Sequence, residues 1–171
     1  MSELRHIRDW YRYNSDVRKE YLKVLSRLPR RALLKDRKAS FPSLLDIFVH
    51  TLDAYQWWFG QAYRDRAAGY KGLRETIRTL AAARRYERQV DRLVLGFIKR
   101  LDARTLAGTF SFTDTRGPSQ KPQRYKMSTR GMVLHMIEEE LQHRGELNAL
   151  LWQIDAAPPD IGFDDWNKGR R

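Results

Sequence analysis

The chain has 171 residues, 42% of them hydrophobic, no cysteine, and a formal charge of +12 from 33 basic against 21 acidic side chains. That size suits a single domain over residues 1–171 with a real core. The lack of cysteine excludes disulfides, iron–sulfur clusters, thiolate zinc sites and a cysteine nucleophile. No apolar run is long enough to span a bilayer, and no signal-peptide h-region follows Met1. A cytoplasmic protein without membrane attachment is therefore expected. The positive charge would attract polyanions. Aromatics are not interleaved with basic clusters such as Arg84, Arg85 and Arg88, and no zinc-finger, KH or RRM spacing occurs. A solvated arginine-rich surface is favoured over specific nucleic-acid recognition.

Ile7, Trp10, Tyr11, Asn14, Val17, Tyr21, Leu25 and Leu28 recur at three or four residues, so a first helix is expected over about Leu4–Leu28, closed by Pro29. After a basic connection, Ser40-Phe41-Pro42-Ser43 predicts a second helix capped by Ser40, running from Leu44 to about Ala62. His50 faces its inner side with Ile47, Ala54 and Trp57, and Asp46, one turn earlier, is placed to orient the imidazole. A third helix is expected from Gly72 to about Leu101. Thr109–Thr113 and Arg124–Met127, joined by turn residues Arg116-Gly117-Pro118-Ser119, predict a short hairpin or ordered loop. Ser128 or Thr129 caps a fourth helix reaching Ile154, and Phe163 and Trp166 in the tail are expected to fold back onto the bundle. The fold class is all-α, a four-helix bundle with that hairpin or loop between helices three and four.

The fourth helix carries the chemistry. At about 100° per residue, His135, Glu139, His143 and Glu146 share one stripe about 80° wide with Met132 and Leu150. Titratable groups on an apolar stripe cost several kcal/mol to bury unless they are paired or hold a cation. Glu139 and His143 stand one turn apart, about 6 Å along the axis, whereas His135 and His143 are about 12 Å apart and do not share an ion. The economical site is His50 from helix two with Glu139 and His143 from helix four, three ligands that leave positions open. His135 is then a supporting residue, a proton carrier or core. An ordinary i,i+4 ion pair between Glu139 and His143 explains the spacing equally well.

His135-x-x-x-Glu139-x-x-x-His143-Arg144-Gly145-Glu146-Leu147 resembles the last-helix signature of the DinB/YfiT-like superfamily, and Phe41-Pro42-Ser43-Leu44 with Val49-His50 resembles its second-helix motif. Tyr13-Asn14 and Pro158-Pro159-Asp160 look like it too. The resemblance implies a four-helix bundle, often dimeric, holding a divalent metal, zinc or nickel in many members. By position the ligands are His50, Glu139 and His143. The chain departs from the pattern at Glu139, where histidine is usual, and at Glu146, where glutamine is usual. A carboxylate hardens the site and admits iron or manganese.

The activity implied is that of a metal-dependent transferase or hydrolase. It would act on a small molecule by activating bound water or a low-molecular-weight thiol, with His135 or Glu146 as base. Without cysteine, any thiol must come from a cosubstrate. The reading set against it is a non-catalytic, metal-stabilised or polyanion-binding basic protein.

Overall fold

The computed structural model describes residues 2–115 and 121–168. Helix α1 (Glu3–Ser26) starts at Ser2, whose hydroxyl accepts the Arg5 N–H. A short α2 (Arg30–Leu34) follows Pro29, and α3 spans Leu44–Tyr55. A wider π turn (Gln56–Gln61) and a 3-10 turn (Ala62–Arg64) extend α3. Then come α4 (Leu80–Arg100), α5 (Ala103–Ala107), strands β1 (Thr109–Asp114) and β2 (Gln123–Ser128), α6 (Thr129–Trp152) and α7 (Phe163–Lys168). The architecture is the expected all-α bundle. Helix α1 packs on α4 and α6, and α3 packs on the same two, so the order around the bundle is α1, α4, α3, α6.

The most apolar of the four, α3, buries Leu44, Leu45, Ile47, Phe48, Val49 and Leu52, residues that cover more than one face. A helix apolar on several sides needs neighbours on several sides, and α2, α4 and α6 supply them. Each such side chain contributes up to about 1.5–3 kcal/mol by leaving water. In the tail, the Phe163 ring stacks on Trp10 at 4.2 Å between centroids and Trp166 donates to Asp16 at 2.9 Å. Strands β1 and β2 pair antiparallel with Phe112 opposite Tyr125, while the expected turn at Arg116–Ser119 lies outside the described residues.

Two expected boundaries are corrected. The cap of α3 is Ser43, whose hydroxyl accepts the Asp46 N–H at 3.2 Å. Ser40 is used elsewhere, as shown below. The third long helix begins at Leu80 behind its Thr79 cap rather than at Gly72. Asp53 on α3 captures the N–H groups of Leu73 and Arg74 at 2.8–2.9 Å and holds that stretch in a non-helical course.

The bundle interior also contains a sealed polar network. Arg18 on α1 donates to Glu140 on α6 at 2.6 Å and to Asp91 on α4 at 3.1 Å, and the Tyr55 hydroxyl donates to Glu140. The Glu140 side chain is 1% exposed. Burial pushes its carboxyl above the ordinary range, against the pull of the Arg18 guanidinium. Arg18 stays charged, because Glu140 and its other anionic neighbours outweigh the desolvation that would pull its pKa down.

Candidate metal centre

Helices α3 and α6 are neighbours, and this adjacency brings His50 opposite Glu139 and His143. His50 Nε2 lies 3.2 Å from Glu139 Oε1, and His143 Nε2 lies 3.3 Å from the same oxygen. The two imidazole centroids are 4.8 Å apart. Among the described residues these three form a group whose donor atoms all fall within 4.8 Å of one another. Two donors each about 2.1 Å from one ion at the tetrahedral angle stand about 3.4 Å apart, close to the two Nε2···Oε1 separations. His143 is buried, with 5% of its side chain exposed, while His50 and Glu139 are half-buried and open to one side.

The orientation of His143 comes from Glu146. Its Oε2 is 3.2 Å from His143 Nδ1, and its carboxylate is in turn held by the Ser40 N–H at 2.8 Å and the Ser40 hydroxyl at 2.6 Å. Burial pushes the Glu146 carboxyl up, but the bonds from Ser40 and His143 outweigh it and hold it below the ordinary range. An ionised carboxylate accepts only, so Nδ1 of His143 carries a proton. Nε2 then faces Glu139, a second acceptor. A neutral His143 would set lone pair against lone pair there. The arrangement is favourable only if Nε2 is protonated, giving an imidazolium, or if a cation sits between the donors. In the metal-free molecule the hydrogen bond to Glu139, reinforced by Glu146, raises the His143 pKa against desolvation. The bonds from His143 and His50 depress the Glu139 carboxyl far below the usual range despite burial. With a cation bound, Glu146–His143–metal is the carboxylate–histidine–metal arrangement that fixes tautomer and ring. The residues therefore fit a divalent ion.

Phe41 stacks on His50 at 3.8 Å and positions that ring from the loop before α3. Asp46 does not orient His50. It accepts from the Ser43 hydroxyl and from Arg78 at 2.7 Å, being turned into the cap of its own helix. Arg144 donates to the Tyr13 hydroxyl at 2.8 Å and ties α6 to α1. His135 stands away from the three donors, packed edge-on to Trp58 at 5.5 Å.

A cavity of about 490 Å³ opens beside the centre, with His50, Glu139, His135 and Trp58 on its wall. Asp53, Trp57, Tyr70, Lys71, Gly72 and Arg74 complete much of the lining, and sequence reasoning gave them no place at the site. The spacing from His50 to Asp53, Ala54, Trp57 and Trp58, at three, four, seven and eight residues, was a usable signal for the α3 part. No comparable signal marks the 70–74 stretch, which is held beside the cavity by long-range contacts of Leu73 and Arg74 with Asp53, of Tyr70 with Tyr86 and of Arg74 with Phe41.

The fold and the three convergent donors define a helical bundle with a candidate metal centre between two neighbouring helices. The DinB family profile matches residues 1–168, and this chain belongs to the DinB family. The crystal structure of a DinB-like protein from Bacillus cereus ATCC 10987 superposes with a TM-score of 0.66 at 13% identity, covering 89% of this chain and 93% of that one. That likeness concerns the fold. No curated protein matches the chain.

Proposed function

We propose that this chain is a metal-dependent enzyme acting on a small molecule, a transferase or hydrolase, with His50, Glu139 and His143 as ligands of a divalent cation. A cation there supplies Lewis acidity and lowers the pKa of a bound water or low-molecular-weight thiol towards neutrality. The chain's own residues do the rest. Glu146 keeps His143 on its Nδ1–H tautomer and aims Nε2 inward. Phe41 fixes the His50 ring. Glu139 supplies the negative charge that suits zinc, iron or manganese as well as nickel. His135, on the cavity wall and outside the donor set, is the group placed to carry a proton to or from a substrate. Glu146, with Ser40 and His143 on its carboxylate, acts through His143 as a positioning residue.

The observation that carries this reading is the need for positive charge between His143 Nε2 and Glu139 at the edge of an open cavity. A structural ion pair needs no cavity beside it. Elemental analysis of the purified protein tests it. Near-stoichiometric divalent metal is expected in the wild type and its loss in His50→Ala and in His143→Ala. A wild type that stays metal-free when offered Zn²⁺, Ni²⁺, Mn²⁺ and Fe²⁺ overturns it.

A further inference from the structure

Helix α4 buries Ala83, Tyr86, Glu87, Val90, Val94 and Ile98 against the bundle. Its outward side exposes Arg85, Arg88, Arg92 and Lys99. At about 100° per residue these four and Gly96 share one stripe about 80° wide. The stripe runs about 21 Å along the helix axis. Gly96 does not interrupt the line of charge, because Arg100 folds back over it. The two terminal guanidinium nitrogens of Arg100 lie 3.7 and 3.9 Å from where a Cβ on Gly96 would stand. Five cations therefore follow one another along a straight, rigid element.

Nearby carboxylates do not cancel this charge. The two acids of α4 lie off the stripe. Glu87 is buried, and burial pushes its carboxyl up, against ionisation. Asp91 accepts from Arg18 at 3.1 Å and stands 3.9 Å from Lys19. On the neighbouring α1, Asp9, Asp16 and Glu20 are matched by Arg12, Lys19 and Lys23 of the same helix. Asp102, beyond the end of α4, is turned to the Thr105 N–H at 2.7 Å and to Arg104. None of the five cations makes an ion pair among the described residues.

The chemistry of this face narrows what can cover it. The exposed large apolar side chains among the described residues are Leu73, Tyr125, Leu134, Leu141 and Trp152, and none is on α4. The face thus lacks the apolar anchors of a membrane-surface helix and the aromatic platforms on which unstacked bases sit. Four of the five cations are arginines, whose planar forks match phosphate oxygens. Basic side chains clustered along one helix of a chain with pI ≈ 10.2 are the electrostatic footprint of a nucleic-acid surface. Duplex DNA offers the complement, a rigid rod with one phosphate per about 1.7 Å of axis.

We propose that the outward face of α4 docks double-stranded DNA through its phosphates, without regard to base sequence. Arg85, Arg88, Arg92, Lys99 and Arg100 are the contacts. The stripe itself holds only cations and a glycine, so it positions the duplex and does not read it. In the bundle order α4 stands diagonal to α6. The surface is therefore separate from the metal centre, and the proposal does not rest on the metal-dependent reading.

Fluorescence anisotropy of the full chain with short labelled DNA duplexes of two unrelated sequences, titrated over salt, tests this. Equal affinity for both is expected. Affinity should fall about 500-fold between about 50 and 200 mM salt, the loss that about five phosphate contacts imply. The variant Arg85→Gln/Arg88→Gln/Arg92→Gln should bind at least about tenfold more weakly at low salt, with the log–log salt slope shallower by about three. Glutamine keeps the helix propensity, and near-UV circular dichroism identical to wild type excludes unfolding as the cause. The control Lys35→Gln/Lys126→Gln/Lys168→Gln removes the same charge from exposed positions off α4 and should keep the wild-type slope. Equal losses in the two variants would mean diffuse attraction to net charge and overturn the proposal. So would a wild type that leaves the duplex free at low salt, or a marked preference for one sequence. Tighter binding of a single strand, or binding of phosphatidylserine vesicles but not of the duplex, would assign the face to another partner and overturn it as well.

Discussion

Glu139 and Glu140 are adjacent in the chain, and α6 sends them into two unlike regions. Glu140 enters the sealed network with Arg18, Asp91 and Tyr55, where it is almost wholly removed from water. Glu139 lies at the bundle edge between two imidazoles, half-buried beside an open cavity. The sealed carboxylate is answered by a fixed guanidinium from another helix, which makes it structural. The edge carboxylate is answered by groups that can exchange a proton for a metal, which makes it adaptable. Burial and charge alone would pick out Glu140 as the more perturbed group. The proposed metal chemistry is assigned to Glu139, because open space and exchangeable positive charge coincide there.

The largest effect that separates the two regions should come from Arg18→Met. Removing one member of a buried pair leaves an uncompensated carboxylate and costs about 3–5 kcal/mol, a fall of about 6–20 °C in Tm for a chain of this size. Scanning calorimetry should show this fall, and the double variant Arg18→Met/Glu140→Met should regain most of it. Metal content should be unchanged in both.

The edge region should answer in the opposite way. Saturating metal at about 1,000 times Kd should stabilise the wild type by about 4 kcal/mol. His143→Ala should abolish this metal-dependent shift while folding normally without metal. A shift that persists in that variant would place the ion elsewhere.

A smaller change is expected for Glu146→Gln. The amide can still accept from His143 Nδ1–H through its oxygen but lacks the charge, so metal affinity should fall about 10- to 100-fold. Competition with a chromophoric chelator measures this. An unchanged affinity would remove Glu146 from its orienting role.

The subtlest contrast is in pH. In the metal-free protein His143 has a raised folded pKa, so its contribution to stability is full below its unfolded value, about 6.5, and is lost as pH rises through the elevated folded value. Glu139 has a depressed folded pKa, and its contribution is present above its unfolded value and lost as pH falls through the folded one. Stability of the metal-free protein due to this pair should therefore peak in mildly acidic solution, between about pH 4.5 and 6.5. Bound metal should move the optimum upward, because metal and protons compete for the same nitrogens. Urea midpoints across that range, with and without metal, provide the check. An identical profile in His143→Ala would break the assignment.

Periodicity alone was enough for the existence of the four long helices, though not for where the third begins, because apolar residues recurring at three and four must face one core whatever surrounds them. It also supplied the donors. His50, Glu139 and His143 each fall on an inward or near-inward stripe, and the one-turn spacing of the last two is a property of any helix. What periodicity misjudged was the centre of the α6 stripe. Met132, Val133, Met136, Glu140, Leu147 and Leu151 are its buried middle, and of the four titratable residues first singled out only His143 is buried. A carboxylate such as Glu140 can take a core position only if a cation on another helix meets it, and nothing local announces Arg18. Ser40, Asp46 and Asp53 show the same limit. Each is a short polar side chain able to cap, to orient a histidine or to clasp a loop. Which it does depends on the donors that tertiary packing brings within 3 Å. Local pattern determined the helices and the donor types. Long-range packing decided which carboxylate was sealed, which was left open, and that a loop between α3 and α4 would help to wall the cavity beside it.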